Sequence, residues 1–215
     1  MKKFFVPFLT IMAVFSASAQ HTQLNLYAAY TFDDGFSVYN DANTYFHGKL
    51  KGGAQVGAGL EYMANPMYGV ELLYIYRKAD APATYKVGTL TTEKNSTFDV
   101  THSWIMLAGN SHIKNPNKRI EGTGGFMLGM LISNVDEPTT GSSGSNTTFA
   151  WGLKFGGDIW MSDKIAIKLQ TQLLASSRAM GGSVYYGYWG PVAVPTYTTL
   201  WQYSLGGGLV FRFGH

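Results

Sequence analysis

Apolar and polar residues alternate with a period of two through most of the chain beyond residue 20. Such alternation builds β-strands with one apolar face. Eight segments carry it. In 23–32, Leu24, Leu26, Ala28, Tyr30 and Phe32 share a face, with Gln23, Asn25 and Thr31 on the other. In 53–63, Ala54, Val56, Ala58, Leu60 and Tyr62 alternate with Gln55, Gly57, Gly59 and Glu61. In 67–78, Tyr68, Val70, Leu72, Tyr74 and Tyr76 oppose Gly69, Glu71 and Arg77. Segment 97–113 is less regular. Phe98, Val100, Trp104, Met106 and Ala108 share its expected apolar face with His102, while Ile105 and Leu107 fall opposite. In 119–133, Ile120, Phe126, Leu128, Met130 and Ile132 oppose Arg119, Glu121, Thr123, Gly125 and Gly129. In 148–161, Phe149, Trp151, Leu153, Phe155 and Ile159 alternate with Ala150, Gly152, Lys154, Gly156 and Asp158. In 164–174, Ile165, Ile167, Leu169 and Leu173 oppose Lys168, Gln170 and Gln172. In 198–213, Trp201, Tyr203, Leu205, Leu209, Phe211 and Phe213 oppose Gln202, Ser204, Gly206, Gly208 and Arg212.

The connections alternate in length. Those after the second, fourth and sixth segments are turns of a few residues, marked by Ala64-Asn65-Pro66, by Lys114-Asn115-Pro116-Asn117-Lys118 and by Ser162-Asp163. The others, 33–52, 79–96, 134–147 and 175–197, are long and polar or glycine-rich. Short turns on one side and long loops on the other are the pattern of a barrel that crosses a membrane. The segments also exceed the roughly 9–11 residues a strand needs to cross a bilayer. The predicted fold is all-β, an eight-stranded antiparallel up-and-down barrel with short periplasmic turns and four long extracellular loops. Its apolar face meets lipid, and Tyr68, Tyr76, Trp104, Trp151, Trp201 and Phe213 form aromatic girdles at the two interfaces. Its polar face carries a lumen charge network of Glu61, Glu71, Arg77, Asp99, Arg119, Glu121, Lys154, Asp158, Lys168 and Arg212. Five acids and five bases suit ion pairs filling a narrow lumen, because a buried charge without a partner is costly. Eight strands leave an interior that side chains fill.

Composition agrees. Only 13% of the residues are charged, against about 25% in soluble proteins. Aromatics make up 15%, and there are 26 glycines. The absence of cysteine excludes disulfides and thiolate metal sites. Residues 1–19 read as a signal peptide. Lys2 and Lys3 precede an apolar run, and Ala17-Ser18-Ala19 forms a small-x-small cleavage site, leaving 20–215 as one barrel domain. Without Lys2 and Lys3, fourteen basic residues face thirteen acidic ones, so no nucleic-acid partner is expected.

The signal, the eight amphipathic strands, the alternating connections and the aromatic last strand together resemble the small outer-membrane barrels of the OmpA/OmpX type. The resemblance spans the chain beyond the signal and bears on architecture. It implies outer-membrane lipid and the outer-membrane insertion machinery as partners. Such barrels usually end on an aromatic residue, whereas here Gly214 and His215 follow Phe213.

Candidate chemistry is sparse. His21, His47, His102, His112 and His215 lack metal-site spacing, and neither a metal nor a cofactor is expected. Some barrels of this kind modify lipids, which would need a serine, a histidine and a carboxylate to converge. The pair His102-Ser103 is expected to diverge, with His102 toward lipid and Ser103 inward, and Ser111-His112 sits at the periplasmic end. The glycine runs 122–125 and 206–208 open no helix and so offer no phosphate cradle. Tyr185, Tyr186, Tyr188 and Trp189 in the fourth long loop form a candidate interaction surface for an envelope or host-surface partner. The expectation is a non-enzymatic envelope or adhesion barrel, with a narrow solute channel as the alternative and a lipid-modifying or secretion-accessory barrel behind it.

Overall fold

The computed structural model describes residues 22–41, 44–86, 94–114, 119–137, 142–176, 184–187, 190–193 and 200–213. The expected signal segment, Tyr188, Trp189 and the terminal Gly214-His215 lie outside them. The strands are β1 (Thr22–Thr31), β2 (Asp34–Asp41), β3 (Thr44–Leu50), β4 (Gly53–Asn65), β5 (Tyr68–Lys86), β6 (Lys94–Lys114), β7 (Ile120–Glu137), β8 (Ser142–Trp160), β9 (Ile165–Ser176), β10 (Val184–Gly187), β11 (Gly190–Ala193) and β12 (Leu200–Phe213).

Eight of them, β1, β4, β5, β6, β7, β8, β9 and β12, form an up-and-down antiparallel ring. The ring closes where β1 pairs with β12, from Thr22↔Phe213 to Thr31↔Ser204. Closure leaves no open strand edge around the ring, the condition for a sheet to sit in hydrocarbon. At one end the connections are tight. The side chain of Asn65 turns the chain from β4 into β5 by accepting from the amides of Met67 (2.8 Å) and Tyr68 (2.9 Å). Ser162 does the same for β8–β9 by accepting from Lys164 (3.3 Å) and Ile165 (3.2 Å).

The opposite, long-loop end is taller than the period-two signal predicts. Ladder β5–β6 runs out to Tyr85↔Lys94 and ladder β7–β8 to Glu137↔Ser142, whereas β9–β12 stops at Ser176↔Leu200. Much of the expected loops 79–96 and 134–147 is therefore strand. The β2–β3 hairpin within the first long connection adds to the extension of β5 through Tyr45↔Lys86. The fourth long connection contains the β10–β11 hairpin, with Tyr185↔Val192 and Tyr186↔Pro191 in register. Above the apolar belt both faces of a strand meet polar surroundings. Alternation then fades from the sequence while the backbone ladder continues.

The wall is apolar on the outside. Leu72 is 60% exposed, and Leu107, Phe155 and Leu169 are similarly bare. A continuous apolar patch of this kind far exceeds the few hundred Å² that a soluble monomer exposes. Tyr68, Tyr76, Trp201 and Phe213 point outward near the belt edges, and Trp151 and Trp201 meet edge to face at 5.5 Å. Trp104 does not. Strand β6 takes the opposite phase from the one expected, so Val100, His102, Trp104, Met106 and Ala108 are buried inside while Ile105 and Leu107 meet lipid. The reason is that the middle of the lumen is apolar. Leu73, Ile75, Trp104, Met106, Met127, Leu131 and Leu174 fill it, each no more than 2% exposed. A strand with apolar residues on both faces gives no phase signal of its own.

Candidate functional site: the lumen

The interior has three levels. The apolar layer separates a dense ionic cluster toward the short-turn end from a sparser polar group toward the long-loop end.

The ionic cluster starts from two carboxylates, Glu61 on β4 and Glu71 on β5, which stand directly opposite each other in register. Like charges so placed repel. Two amide groups hold the pair together. Asn25 Nδ2 donates to Glu61 Oε2 (3.1 Å) and Glu71 Oε1 (2.9 Å). Asn110 Nδ2 donates to Glu61 Oε1 (2.7 Å) and Glu71 Oε2 (3.1 Å). The Tyr27 hydroxyl donates to Glu71 at 2.5 Å. Lys154 Nζ makes an ion pair with Glu71 and lies 5.7 Å from the centre of the Tyr27 ring.

His112 extends the cluster downward. Its Nε2 lies 2.8 Å from Glu61 Oε1 and its Nδ1 2.7 Å from Glu121 Oε1. Imidazole donates from both nitrogens only as the imidazolium, so this bridge between two carboxylates carries a positive charge when both are ionised. Glu121 also accepts from Trp160 Nε1 at 3.0 Å. Arg212 stacks on the Trp160 ring at 3.8 Å and reaches to 3.7 Å from Glu121 at the rim. Beside this chain, Lys168 meets both oxygens of Asp158, at 2.9 and 3.0 Å.

Glycines make room for these long side chains. A Cβ on Gly59 would stand 1.9 Å from Glu71 Oε1, and one on Gly125 would stand 2.4 Å from Asn110 Oδ1 and 3.1 Å from Lys154 Cε. Both positions therefore require the smallest residue at a close approach.

Of the ten charged residues named for the lumen, Glu61, Glu71, Glu121, Lys154, Asp158 and Lys168 are gathered here, with Arg212 at the edge. Three stand elsewhere. Asp99 faces outward, 3.7 Å from Lys78, because β6 has the opposite phase. Arg119 precedes β7 on the exposed rim and donates to the Met161 carbonyl at 3.2 Å. Arg77 is buried, but at the long-loop end, where its Nη2 donates to the Lys51 carbonyl. Sequence reasoning missed Tyr27, Asn110, His112 and Trp160 as members. The inward phase of Asn110 and His112 would have revealed the last two strand positions of the hub, had β6 been phased from its polar end.

The polar group on the other side of the apolar layer centres on a contact across the lumen. Gln202 of β12 and His102 of β6 meet at 2.8 Å, although three strands separate them either way round the ring. Since His102 points inward, Ser103 points out, where it meets the Tyr74 hydroxyl at 3.2 Å. This reverses the expected orientation of the pair, yet the two side chains still diverge. At the other end, both ring nitrogens of His112 are occupied by carboxylates, so neither is free to activate a serine. Among the described residues, no group of three or more histidine, cysteine or acidic side chains is arranged to hold a metal ion.

Compared by sequence, the chain matches no protein-family model and no curated protein. Its fold does have solved counterparts. It is similar to the outer membrane protein OprG of Pseudomonas aeruginosa, with a TM-score of 0.58 and 15% identity over 91% of this chain and 97% of that one. It is also similar to neisserial surface protein A, with a TM-score of 0.53 and 12% identity over 89% and 97% of the two chains. The chain thus shares the fold of the small eight-stranded outer-membrane β-barrels.

Proposed function

We propose that this protein is a non-enzymatic, non-conducting barrel of a Gram-negative outer membrane. Its interior braces the wall, and its tall extracellular side presents an interaction surface. The short turns face the periplasm. The observation that carries this reading is the continuous apolar layer across the lumen, from Leu73 and Ile75 through Trp104 and Met106 to Met127, Leu131 and Leu174. An ion crossing it would lose its hydration, and apart from the Trp104 indole N–H these side chains offer no polar group to replace it. The names of two barrels of the same fold, a surface protein and an outer membrane protein, support the location. Cleavage after Ala19 and a single barrel domain over 20–215 belong to the same reading, as do outer-membrane lipid and the insertion machinery as partners. The projecting strands β5–β8, the β2–β3 hairpin and the β10–β11 hairpin with Tyr185 and Tyr186 are the surface offered to an envelope or host-surface partner.

The test is planar-bilayer conductance of protein recovered from outer membranes, with its folded state checked by the mobility difference between unboiled and boiled samples. Folded protein that stays silent is the expected result. Steady conductance that changes on Glu61→Gln or Lys168→Gln would replace this reading with a charged channel.

A further inference from the structure

On the long-loop side of the apolar layer, a buried cation stands without a counter-charge. Arg77 is 1% exposed, and among the described residues no carboxylate lies within 4.0 Å of it. Its Nη2 donates to the Lys51 carbonyl, but Nε and Nη1 have no hydrogen-bond partner. The acids of the first long connection are engaged elsewhere. Asp33 pairs with Lys49 and accepts from the Gly52 amide at 2.5 Å, and Asp34 accepts from the Trp201 amide at 3.1 Å. The other buried charged side chains, Glu61, Glu71, Glu121, Lys154, Asp158 and Lys168, belong to the ionic cluster on the far side of the layer. Arg77 is thus the one buried charge on its own side among the described residues.

Strand register surrounds it with neutral groups. Arg77 of β5 and His102 of β6 are paired in register and both point inward, which sets their Cβ atoms about 5 Å apart. Gln202 Nε2 donates to His102 Nδ1 at 2.8 Å across the lumen, so that nitrogen accepts and the imidazole is neutral. The Trp104 ring stands edge-on to the imidazole at 6.3 Å, and its Nε1 also has no partner. Two residues further toward the long-loop end are Ala79 on β5, Val100 on β6 and Leu200 on β12, all apolar and buried. Two residues back are Ile75 and Trp104. The guanidinium therefore lies in a thin polar slice between apolar flanks, where an unpaired charge is costly. An anion in that slice removes the cost. One positive charge calls for one negative charge, and a lumen that eight strands leave nearly filled admits only a small ion.

We infer that Arg77 Nε and Nη1, beside His102 and the Trp104 indole, form a binding site for a small monovalent anion of the halide type. The ion enters from the long-loop end, and the apolar layer beneath makes the site a closed end. The inference goes beyond the function proposed above and rests on the lumen alone, whichever way the barrel is oriented in its membrane.

Bromide is the probe. Wild-type crystals grown in sodium bromide should show anomalous scattering at hydrogen-bonding distance from Arg77 Nε or Nη1. In solution, urea unfolding in lipid vesicles is followed as bromide replaces gluconate, an anion too large for the slice, at constant sodium. A ligand that binds only the folded state lowers the unfolding constant about elevenfold at ten times its dissociation constant. The wild type should show such a fall with bromide, and R119Q, changed at the opposite rim, should match it. R77Q should show neither the fall nor the anomalous bromide. Water beside Arg77 with no anomalous signal overturns the inference, as does a fall that persists in R77Q. A wild-type unfolding constant indifferent to bromide also overturns it, and any bromide seen in the crystal is then an adventitious ion only. Every variant must keep the boiled and unboiled mobility shift. Should R77Q lose it, R77K takes its place, because lysine keeps the charge without the fixed guanidinium donors and should raise the bromide dissociation constant about threefold or more. An unchanged constant in R77K overturns the assignment to Arg77.

Discussion

His112 ties two parts of the interior together, because its two ring nitrogens join two buried carboxylates, Glu61 and Glu121. Replacing it with alanine leaves Glu61 and Glu121 without their shared donor. Breaking a buried ionic contact by removing one partner typically costs about 3–5 kcal/mol. H112A should therefore lower the urea midpoint of the refolded barrel by a corresponding amount. Adding Glu121→Gln to H112A should recover part of the loss, since one orphaned charge is then gone. A single substitution with no effect on the midpoint would mean that water replaces the imidazole at no cost. Gly59 shows the complementary constraint. The glutamate that occupies its missing side chain's space is Glu71, a member of the same cluster.

Each strand has to meet lipid on one face and the lumen on the other, and what the lumen demands changes along its length. Strand β9 is the simple case. Ile165, Ile167 and Leu169 face outward while Ala166, Lys168 and Gln170 are buried. Arginine in place of Leu169 puts a charge in hydrocarbon and should cost about 2–4 kcal/mol near the midplane. Ser145→Arg, on the part of β8 above the belt, should stay within about 0.5 kcal/mol. Equilibrium unfolding of the two variants in lipid vesicles compares them directly. If both cost the same, the belt has been drawn in the wrong place. Strand β6 is the harder case. Trp104 and Met106 are apolar like their lipid-facing neighbours Ile105 and Leu107, so alternation is lost and only the ladder registers with β5 and β7 decide the phase.

Taken whole, the barrel is a ring closed by β1 and β12 and tied internally by one hydrogen-bonded system. That system links Asn25 of β1, Glu61 of β4, Glu71 of β5, His112 of β6, Glu121 of β7 and Lys154 of β8. Within the connection from β9 to β12, β10 and β11 pair with each other as a separate two-stranded sheet. Removing 181–195 should leave the β9–β12 register, from Ser176↔Leu200 to Ile165↔Phe211, able to form. The shortened protein should keep its boiled and unboiled mobility shift and its unfolding free energy in urea within about 1 kcal/mol. Loss of the shift would show that this connection is needed to close the ring.

The strand count, the up-and-down order, the lipid face of seven strands and six of the interior charges could all be read from the sequence. Each depends on a local rule, that a strand's faces alternate and that apolar residues avoid water, and this rule leaves its mark residue by residue. The phase of β6, the height of β5–β8, the apolar layer across the lumen and the hub at His112 were decided only by the tertiary structure. Each of them depends on what stands opposite across the barrel. A tryptophan is equally apolar against lipid or against a leucine from the far wall. A histidine becomes a bridge only when strands nine and fifty-one residues away in the chain bring glutamates to both of its nitrogens.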